Sequence, residues 1–208
     1  MIKYGWITLF GLVGGCAVAG PQVQVTRSVA GFDGIVIEGA ANVEFKQGAN
    51  YSVVVKGEKD EVDKTLTSLK DGSLVISQKP GANIRHSVKV IVSGPKLKLL
   101  KTEGAGNIDA TGLNVKTLSV QLNGAGNISL KGSTDSFVLR LGGAGNVRAN
   151  NLKAKDADIN LTGSGNVDVF SSNTLKMNLD GAGNIRYFGS PASITKKAGG
   201  VGRISQGT

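Results

Sequence analysis

Charged side chains recur in this chain at intervals that could support metal binding or catalysis. The residue two places after a repeated asparagine recurs every 18 to 20 positions, as Asp109, Ser129, Arg148, Asp168 and Arg186. A calcium site built on repeated turns needs a carboxylate in each repeat, because this hard cation prefers carboxylate oxygens. Two carboxylates interleaved with guanidinium groups would repel a cation, so the sequence predicts no metal site.

Carboxylate or histidine catalysis is also disfavoured. Glycoside hydrolysis needs two carboxylates roughly 5–9.5 Å apart. Asp109 and Asp168 are three repeats apart, which is ~14 Å if each repeat advances by one strand spacing. His86 is the single histidine, and no Cys or Asp is placed to complete a triad with it, so we expect it on a surface strand. The prediction is a protein without catalytic residues or cofactors, and not an enzyme.

The only cysteine, Cys16, follows a segment typical of bacterial export. Lys3 gives a positive start, and residues 4–13 form an apolar run of secretory-signal length that is too short to span a bilayer. The tetrapeptide Val13-Gly14-Gly15-Cys16 resembles the bacterial lipobox, in which the cysteine is acylated and becomes the first residue. Two or more acyl chains, palmitate among them, would anchor the protein stably to a membrane.

Two outcomes of export remain open. Ala17-Val18-Ala19 also reads as an ordinary cleavage site, and cleavage after Ala19 would release a periplasmic or secreted protein without cysteine. If Cys16 is lipidated, Ala17 in the next position favours the outer membrane. We therefore expect a signal peptide over 1–15, a lipidated cysteine and tether over 16–27, and a folded domain over 28–208.

A four-residue motif, Gly-Ala/Ser-Gly-Asn, divides the folded region into repeats of about 19 residues. Intact copies begin at Gly104, Gly124, Gly143, Gly163 and Gly181. Degenerate copies begin at Gly39 and Gly200. Such a short repeat cannot bury its apolar face alone, so the copies must stack on one another.

Apolar and polar residues alternate on both sides of each motif, as in Leu118, Val120 and Leu122 before a corner and Ile128 and Leu130 after one. This period of two indicates strands with one buried face. Stacked in parallel, equivalent residues form columns, and the motif asparagines could form an amide ladder at the corner. We expect a structural role for these asparagines, which are Asn107, Asn127, Asn146, Asn166 and Asn184.

The amino-terminal half has a less regular pattern. Strands are expected over 51–55, 74–77 and 88–92. Residues 60–69 place Val62, Leu66 and Leu69 at helical spacing behind Asp60, which is a candidate N-cap. The sequence thus predicts one short helix that covers an end of the stack.

The chain resembles the head GIN domain family, also called the auto-transporter adhesin head domain. The resemblance rests on the opening Val29–Ile35, the strand pair before Pro95 and the serial glycine-rich corners, and it spans roughly residues 28–206. It implies an all-β, right-handed parallel β-helix-like solenoid. It assigns no activity, and we expect no translocator barrel region in this sequence.

The predicted function is binding rather than catalysis. A formal charge of +9 favours anionic partners, whereas scattered bases and only 5% aromatic residues argue against nucleic acid. An outward column three residues before each corner is a candidate binding strip for an anionic glycan or an envelope protein. The strip comprises Lys101, Gln121, Arg140, Asn160 and Asn178.

The leading hypothesis is an envelope lipoprotein whose solenoid head serves adhesion. The alternatives are an enzyme acting on envelope or acidic polysaccharide, and an assembly partner within the envelope.

Overall fold

The computed structural model describes residues 4–5 and 20–207. Strands account for 71% of the structure and helix for 3%, arranged as a β-solenoid of about five turns. This confirms the predicted all-β solenoid with one short helix. Cys16 and the alternative cleavage site at Ala19 lie outside the described residues.

Within those residues the chain forms sixteen strands and one helix. The helix is α1 (Lys59–Lys64), and the strands are β1 (Tyr4–Gly5), β2 (Gln22–Arg27), β3 (Gly34–Ile37), β4 (Ala41–Gln47), β5 (Ser52–Glu58), β6 (Thr65–Lys70), β7 (Ser73–Gln78), β8 (Val88–Gly94), β9 (Leu99–Thr102), β10 (Ile108–Leu122), β11 (Ala125–Leu141), β12 (Ala144–Leu161), β13 (Ser164–Leu179), β14 (Ala182–Phe188), β15 (Ser193–Ala198) and β16 (Val201–Gln206).

The repeats stack in parallel and in the register set by the motif. β10 to β13 are long bent strands that each run from one corner to the next, and each pairs in parallel with its successor. β14 and β16 continue the segment after the corner, and β15 continues the segment before it. Next to the corners, each turn of the solenoid therefore supplies one residue to each column, and β-bulges interrupt the register after Ala110, Ser129 and Ala149.

The core lies inside the coil, in columns of small and branched aliphatic side chains. One column before the corner contains Leu118, Phe137, Ala157 and Leu175, in consecutive register. All four are buried, the most exposed at 3%. Because the alternation continues from turn to turn, the stack buries one face of β10 to β14 against its own interior.

The corners stack through their backbones. The amide of the second corner residue donates to the carbonyl of the first glycine one turn below, as from Ser164 to Gly143 at 2.9 Å. At the amino-terminal end of this stack, the side chain of Gln78 takes the place of the backbone partner that a further turn would provide. Its side-chain amide accepts a hydrogen bond from the Ala40 nitrogen and donates one to the Ala40 carbonyl, both at 3.2 Å.

The amino-terminal half closes the solenoid with antiparallel strands. β8 extends the stack in parallel next to β4. β5 then pairs antiparallel with β8, and β2 antiparallel with β5. β6 pairs antiparallel with β7. Residues 22–27, assigned to the tether from sequence, are therefore part of the sheet as β2. The alternation of Val23 and Val25 explains this, since Val25 is buried and pairs with Val55.

The predicted helix is present but shorter than expected. It ends at Lys64, and its N-cap position is Glu58, which makes no side-chain capping bond, so the expected Asp60 cap is wrong. Residues 65–70 form β6 instead, with Leu66 and Leu69 exposed. The reason is the following turn at Asp71 and Gly72, both with positive φ, which folds β6 back onto β7 as a hairpin.

No helix among the described residues is long and apolar enough to cross a membrane.

Candidate functional site

The motif asparagines meet in a single hydrogen-bonded ladder along the outer edge of the corners. Each side-chain nitrogen donates to the side-chain oxygen one turn below, at 3.0 Å from Asn127 to Asn107 and at 2.9 Å from Asn146 to Asn127. The bonds from Asn166 and Asn184 repeat this geometry. Asn42 from the degenerate amino-terminal copy adds a sixth member, because it accepts from Asn107.

All the ladder bonds point the same way, so the amide dipoles add along the stack. The row is anchored at its amino-terminal end by Ser87, whose hydroxyl accepts from Asn42 at 2.9 Å. Residues 20–207 offer no acceptor to the second N–H of the amides from Asn107 to Asn184. The ladder thus presents N–H donors to solvent once per turn.

A shallow groove runs beside the ladder on the face that follows the corner. Its floor is the outward column predicted from sequence, extended at both ends by residues of the neighbouring turns. In order along the stack the column is Glu44, Asp109, Ser129, Arg148, Asp168, Arg186 and Ser205. We call the space between this column and the ladder the corner groove. Two adjoining hollows of about 440 and 420 Å³ lie in it and share Arg148.

Most charges in the corner groove are paired. Glu44 meets Lys89 of β8 at 2.6 Å. Asp168 takes two bonds from Arg186, at 2.9 Å from Nε and 2.7 Å from Nη2. Hydrogen bonding to the Asp168 carboxylate, together with its charge, raises the pKa of Arg186. Such exposed pairs help to fix register and contribute little else to stability.

Two charges of the groove lack a partner among residues 20–207. Asp168 lies between Arg148 and Arg186 on neighbouring turns. Arg186 bonds both oxygens of its carboxylate, and Arg148 makes no ion pair. Asp109 also makes none, and its Oδ1 is shielded from solvent without a hydrogen-bond donor. The repeat gave the positions of these residues, but nothing in the sequence signalled their unpaired state.

The candidate binding strip forms a column on the opposite side of the corner. Its five members occupy consecutive turns in register. Several are already engaged within the protein: Lys101 with Glu103 at 2.7 Å, Arg140 with Asp158 at 2.9 Å, and Asn178 with an Asp180 oxygen at 2.7 Å. Gln121 and Asn160 are partly buried between them. The strip is therefore a continuous polar surface whose charges are largely neutralised locally.

His86 does not line the corner groove. It lies in the loop before β8, not on a strand, with Nδ1 3.4 Å from a Glu58 oxygen. It borders a cavity of about 890 Å³ beside α1, lined also by the buried Glu61. Within residues 20–207 no three His, Cys, Asp or Glu side chains come together to hold a metal ion. Asp109 and Asp168 lie three turns apart, as expected.

The carboxylate of Asp156 on β12 also has a shifted pKa. The Asp156 carboxylate accepts bonds from Asn173 Nδ2 at 2.8 Å and the Thr174 nitrogen at 3.1 Å. Hydrogen bonds from Asn173, and next from Thr174, lower the pKa of Asp156. A depressed carboxylate pKa means that its contribution to folding is present above the unfolded pKa and is lost as the pH falls through the folded value.

Known proteins share the fold of this chain. Residues 31–191 match the family model described as "Putative auto-transporter adhesin, head GIN domain". A solved structure described as a putative adhesin from Bacteroides fragilis is 23% identical, covers 92% of this chain and 100% of its own, and has a TM-score of 0.75. A putative adhesin from Parabacteroides merdae is 19% identical, with 90% and 96% covered and a TM-score of 0.51. No curated protein matches the chain. At these identities the solved structures show a shared fold.

Proposed function

Because the chain belongs to the head GIN domain family, we propose that it is a cell-envelope protein whose solenoid binds an extracellular or envelope ligand. The observation that carries the proposal is the corner groove. It crosses successive turns and offers amide donors, a carboxylate and an unpaired guanidinium group. Repeated, regularly spaced polar groups of this kind suit a ligand that itself repeats. The two solved structures compared above are described as putative adhesins, which supports a binding role.

The proposed ligand is anionic. The whole chain carries 24 basic and 15 acidic residues, and a positive field raises the local concentration and association rate of acidic partners. Acidic polysaccharides of a cell surface are such partners. An assembly role within the envelope is the alternative that uses the same surface, and turnover of the polysaccharide is the third.

A glycan array tests the binding role. We expect the full chain, purified from envelopes in detergent, to be retained by carboxylated glycans at physiological salt and released as salt rises. Retention by no glycan, together with specific crosslinking to one envelope protein in cells, would favour the assembly role instead. Shortening of the bound glycan during incubation would identify an enzyme and contradict the proposal.

The proposed anchor is a lipid on Cys16, with the outer membrane as the destination. Its support is the sequence pattern Val13–Cys16 and the small residue at position 17. Since two or more acyl chains are needed for stable anchoring, we expect the mature protein to sediment with membranes.

Cys16→Ser is expected to abolish metabolic labelling with a palmitate analogue, because the thiol is the acceptor of the lipid. Ala19→Leu serves as the matched control: it removes the alternative cleavage site and should leave labelling intact. Labelling and membrane fractionation of cells expressing each variant provide the measurement. Labelled Cys16→Ser protein, or an unlabelled parent whose amino terminus begins at Gly20, would contradict the anchor.

A further inference from the structure

We propose that Asp109, Ser129 and Arg148 form a binding notch for a carboxylated glycan, with the glycan carboxylate on Arg148 and a sugar hydroxyl on Asp109. This rests on the proposed function and names its site and ligand. It also moves the site from the candidate binding strip to the opposite side of the corner. We call these three residues the notch.

The notch has the geometry of a two-point site. Its members lie on three consecutive turns in direct register, Asp109 with Ser129 and Ser129 with Arg148. Neighbouring turns are ~4.8 Å apart, so the two charged residues are about 10 Å apart along the solenoid axis. The short Ser129 side chain between them fills little of this interval. The result is the hollow of about 440 Å³, which all three residues line.

The two charged members are the groove charges that the fold leaves unsatisfied. On either side, Glu44 is paired with Lys89 and Asp168 with Arg186. Asp109 keeps an oxygen that no donor reaches within residues 20–207. Asp109 as a whole is only partly buried and lines the hollow, so a hydroxyl group bound in the notch would donate to the part of the carboxylate that borders the hollow.

The hydrogen-bonding groups select the chemistry of the ligand. Arg148 matches a carboxylate bidentately, and Asp109 accepts from hydroxyl groups. Asn107 and Asn127 line the same hollow with their outward amide hydrogens, which suit hydroxyl and carboxylate oxygens. A ligand that carries many hydroxyls and a carboxylate fits all of these groups.

A peptide fits this surface less well. The apolar residues that line the hollow, Val43, Ile108 and Ile128, are buried in the core, so they form no open pocket for an anchoring side chain of the kind that peptides use. The strands on this face are paired on both sides, so a peptide cannot add as a further strand at the notch. A glycan needs neither feature.

Calorimetric titration of the full chain with a galacturonic acid hexasaccharide provides the test, with the methyl-esterified hexasaccharide as ligand control. We expect the acid form to bind and the ester to bind at least tenfold more weakly. Arg148→Ser should weaken binding of the acid form about tenfold or more, since hydrogen bonds between charged groups are the strong ones. Asp109→Asn should weaken binding of both forms by a smaller factor. Lys70→Ser removes one positive charge from the exposed end of β6 and should leave the affinity unchanged.

The outcomes separate the inference from the proposed function. Loss of binding in Arg140→Ser with full binding in Arg148→Ser would place the site on the candidate binding strip and overturn the notch, while leaving the binding role intact. Equal binding by all variants would overturn the notch in the same way. Failure of the acid hexasaccharide to bind overturns the ligand class, and tighter, Arg148-dependent binding of a hexaglutamate peptide would replace it with an acidic peptide. Circular dichroism of each variant checks that the solenoid is folded.

Discussion

Gly165→Ala is expected to destabilise the solenoid by about 4 kcal/mol or more, an effect in the range reserved for a specific structural failure. Gly165 is the second glycine of its corner, with a φ of +143°. A Cβ at this position would overlap the carbonyl oxygen of Gly145 one turn below. Because that atom is backbone and is held by the stack, no side-chain movement relieves the overlap. The two turns would have to separate.

The separation of these two turns would also disrupt the strands that flank the corner. Each turn of a solenoid contacts only its neighbours, so widening one interface also removes the hydrogen bonds of the flanking strands. Gly165 lies between β12 and β14, where the stack has a turn on both sides. The damage would thus divide the stack into two parts.

Two matched glycine variants separate overlap from backbone conformation. Gly112 has a φ of +69° but open space around its Cβ position, so Gly112→Ala should cost only the left-handed conformation, about 1–2 kcal/mol. Gly48 has neither constraint, and Gly48→Ala should lie within about 0.5 kcal/mol of the parent. Urea unfolding followed by far-ultraviolet circular dichroism gives the three free energies. If Gly165→Ala lay within 1 kcal/mol of Gly112→Ala, close stacking would not explain the corner glycines.

The carboxy-terminal half of the fold follows from the sequence because a repeat carries its own register. Once the corner glycines are aligned, the residues of the strands on either side of a corner acquire partners one turn away, and the alternation decides which side faces inward. Only the β-bulges between these segments break the register. The columns through Asp109 and through Asn107 could be written down for this reason. The same alignment holds at the degenerate corners. Asn42 joins the ladder, and Arg203 is the register partner of Asn184 on the neighbouring strand.

The amino-terminal half depends on contacts between residues distant in the chain, which no local sequence pattern records. β5 and β2 pair antiparallel through residues distant in the chain, such as Val53 with Val92. The spacing of apolar residues over 62–69 is compatible with a helix and, in part, with a strand. The hairpin with β7 decides between them, because it gives the backbone of β6 a hydrogen-bonding partner. Residues 22–27 form a strand and not a tether for a similar reason, because pairing with β5 gives their backbone hydrogen-bonding partners.

In the candidate site, too, the sequence predicts where the residues lie but not which residues they pair with. The sequence places Asp168 between Arg148 and Arg186, so either arginine could pair with it. The side-chain geometry decides the partner, which is Arg186. That choice leaves Arg148 without an ion pair among the described residues. The notch therefore depends on rotamers and shielding, which a repeat pattern does not specify.

Phe137→Ala is expected to cost about 3–5 kcal/mol, because it removes a large side chain from a packed interior. Phe137 is fully buried and lies in register with Leu118 on one turn and Ala157 on the next. The large and small residues of the column complement each other. In Phe137→Ala two alanines would adjoin, and the rigid stack cannot close over the space. Phe137→Leu, which keeps most of the volume, should cost about 1–2 kcal/mol.

The neighbouring alanine makes this a test of column packing rather than of hydrophobicity alone. In the parent, Ala157→Val should destabilise by about 1–3 kcal/mol, because Phe137 already fills the adjoining space. In Phe137→Ala the same change should stabilise by about 1 kcal/mol, since the added methyl groups enter the vacated volume. Urea unfolding of the two single variants and the double variant completes the cycle. An equal effect of Ala157→Val in both backgrounds would mean that these two side chains do not share a space, and that neighbouring turns pack independently. The opposite signs expected here follow from stacking one residue of each turn in every column, the same arrangement that creates the ladder and the notch on the outer surface.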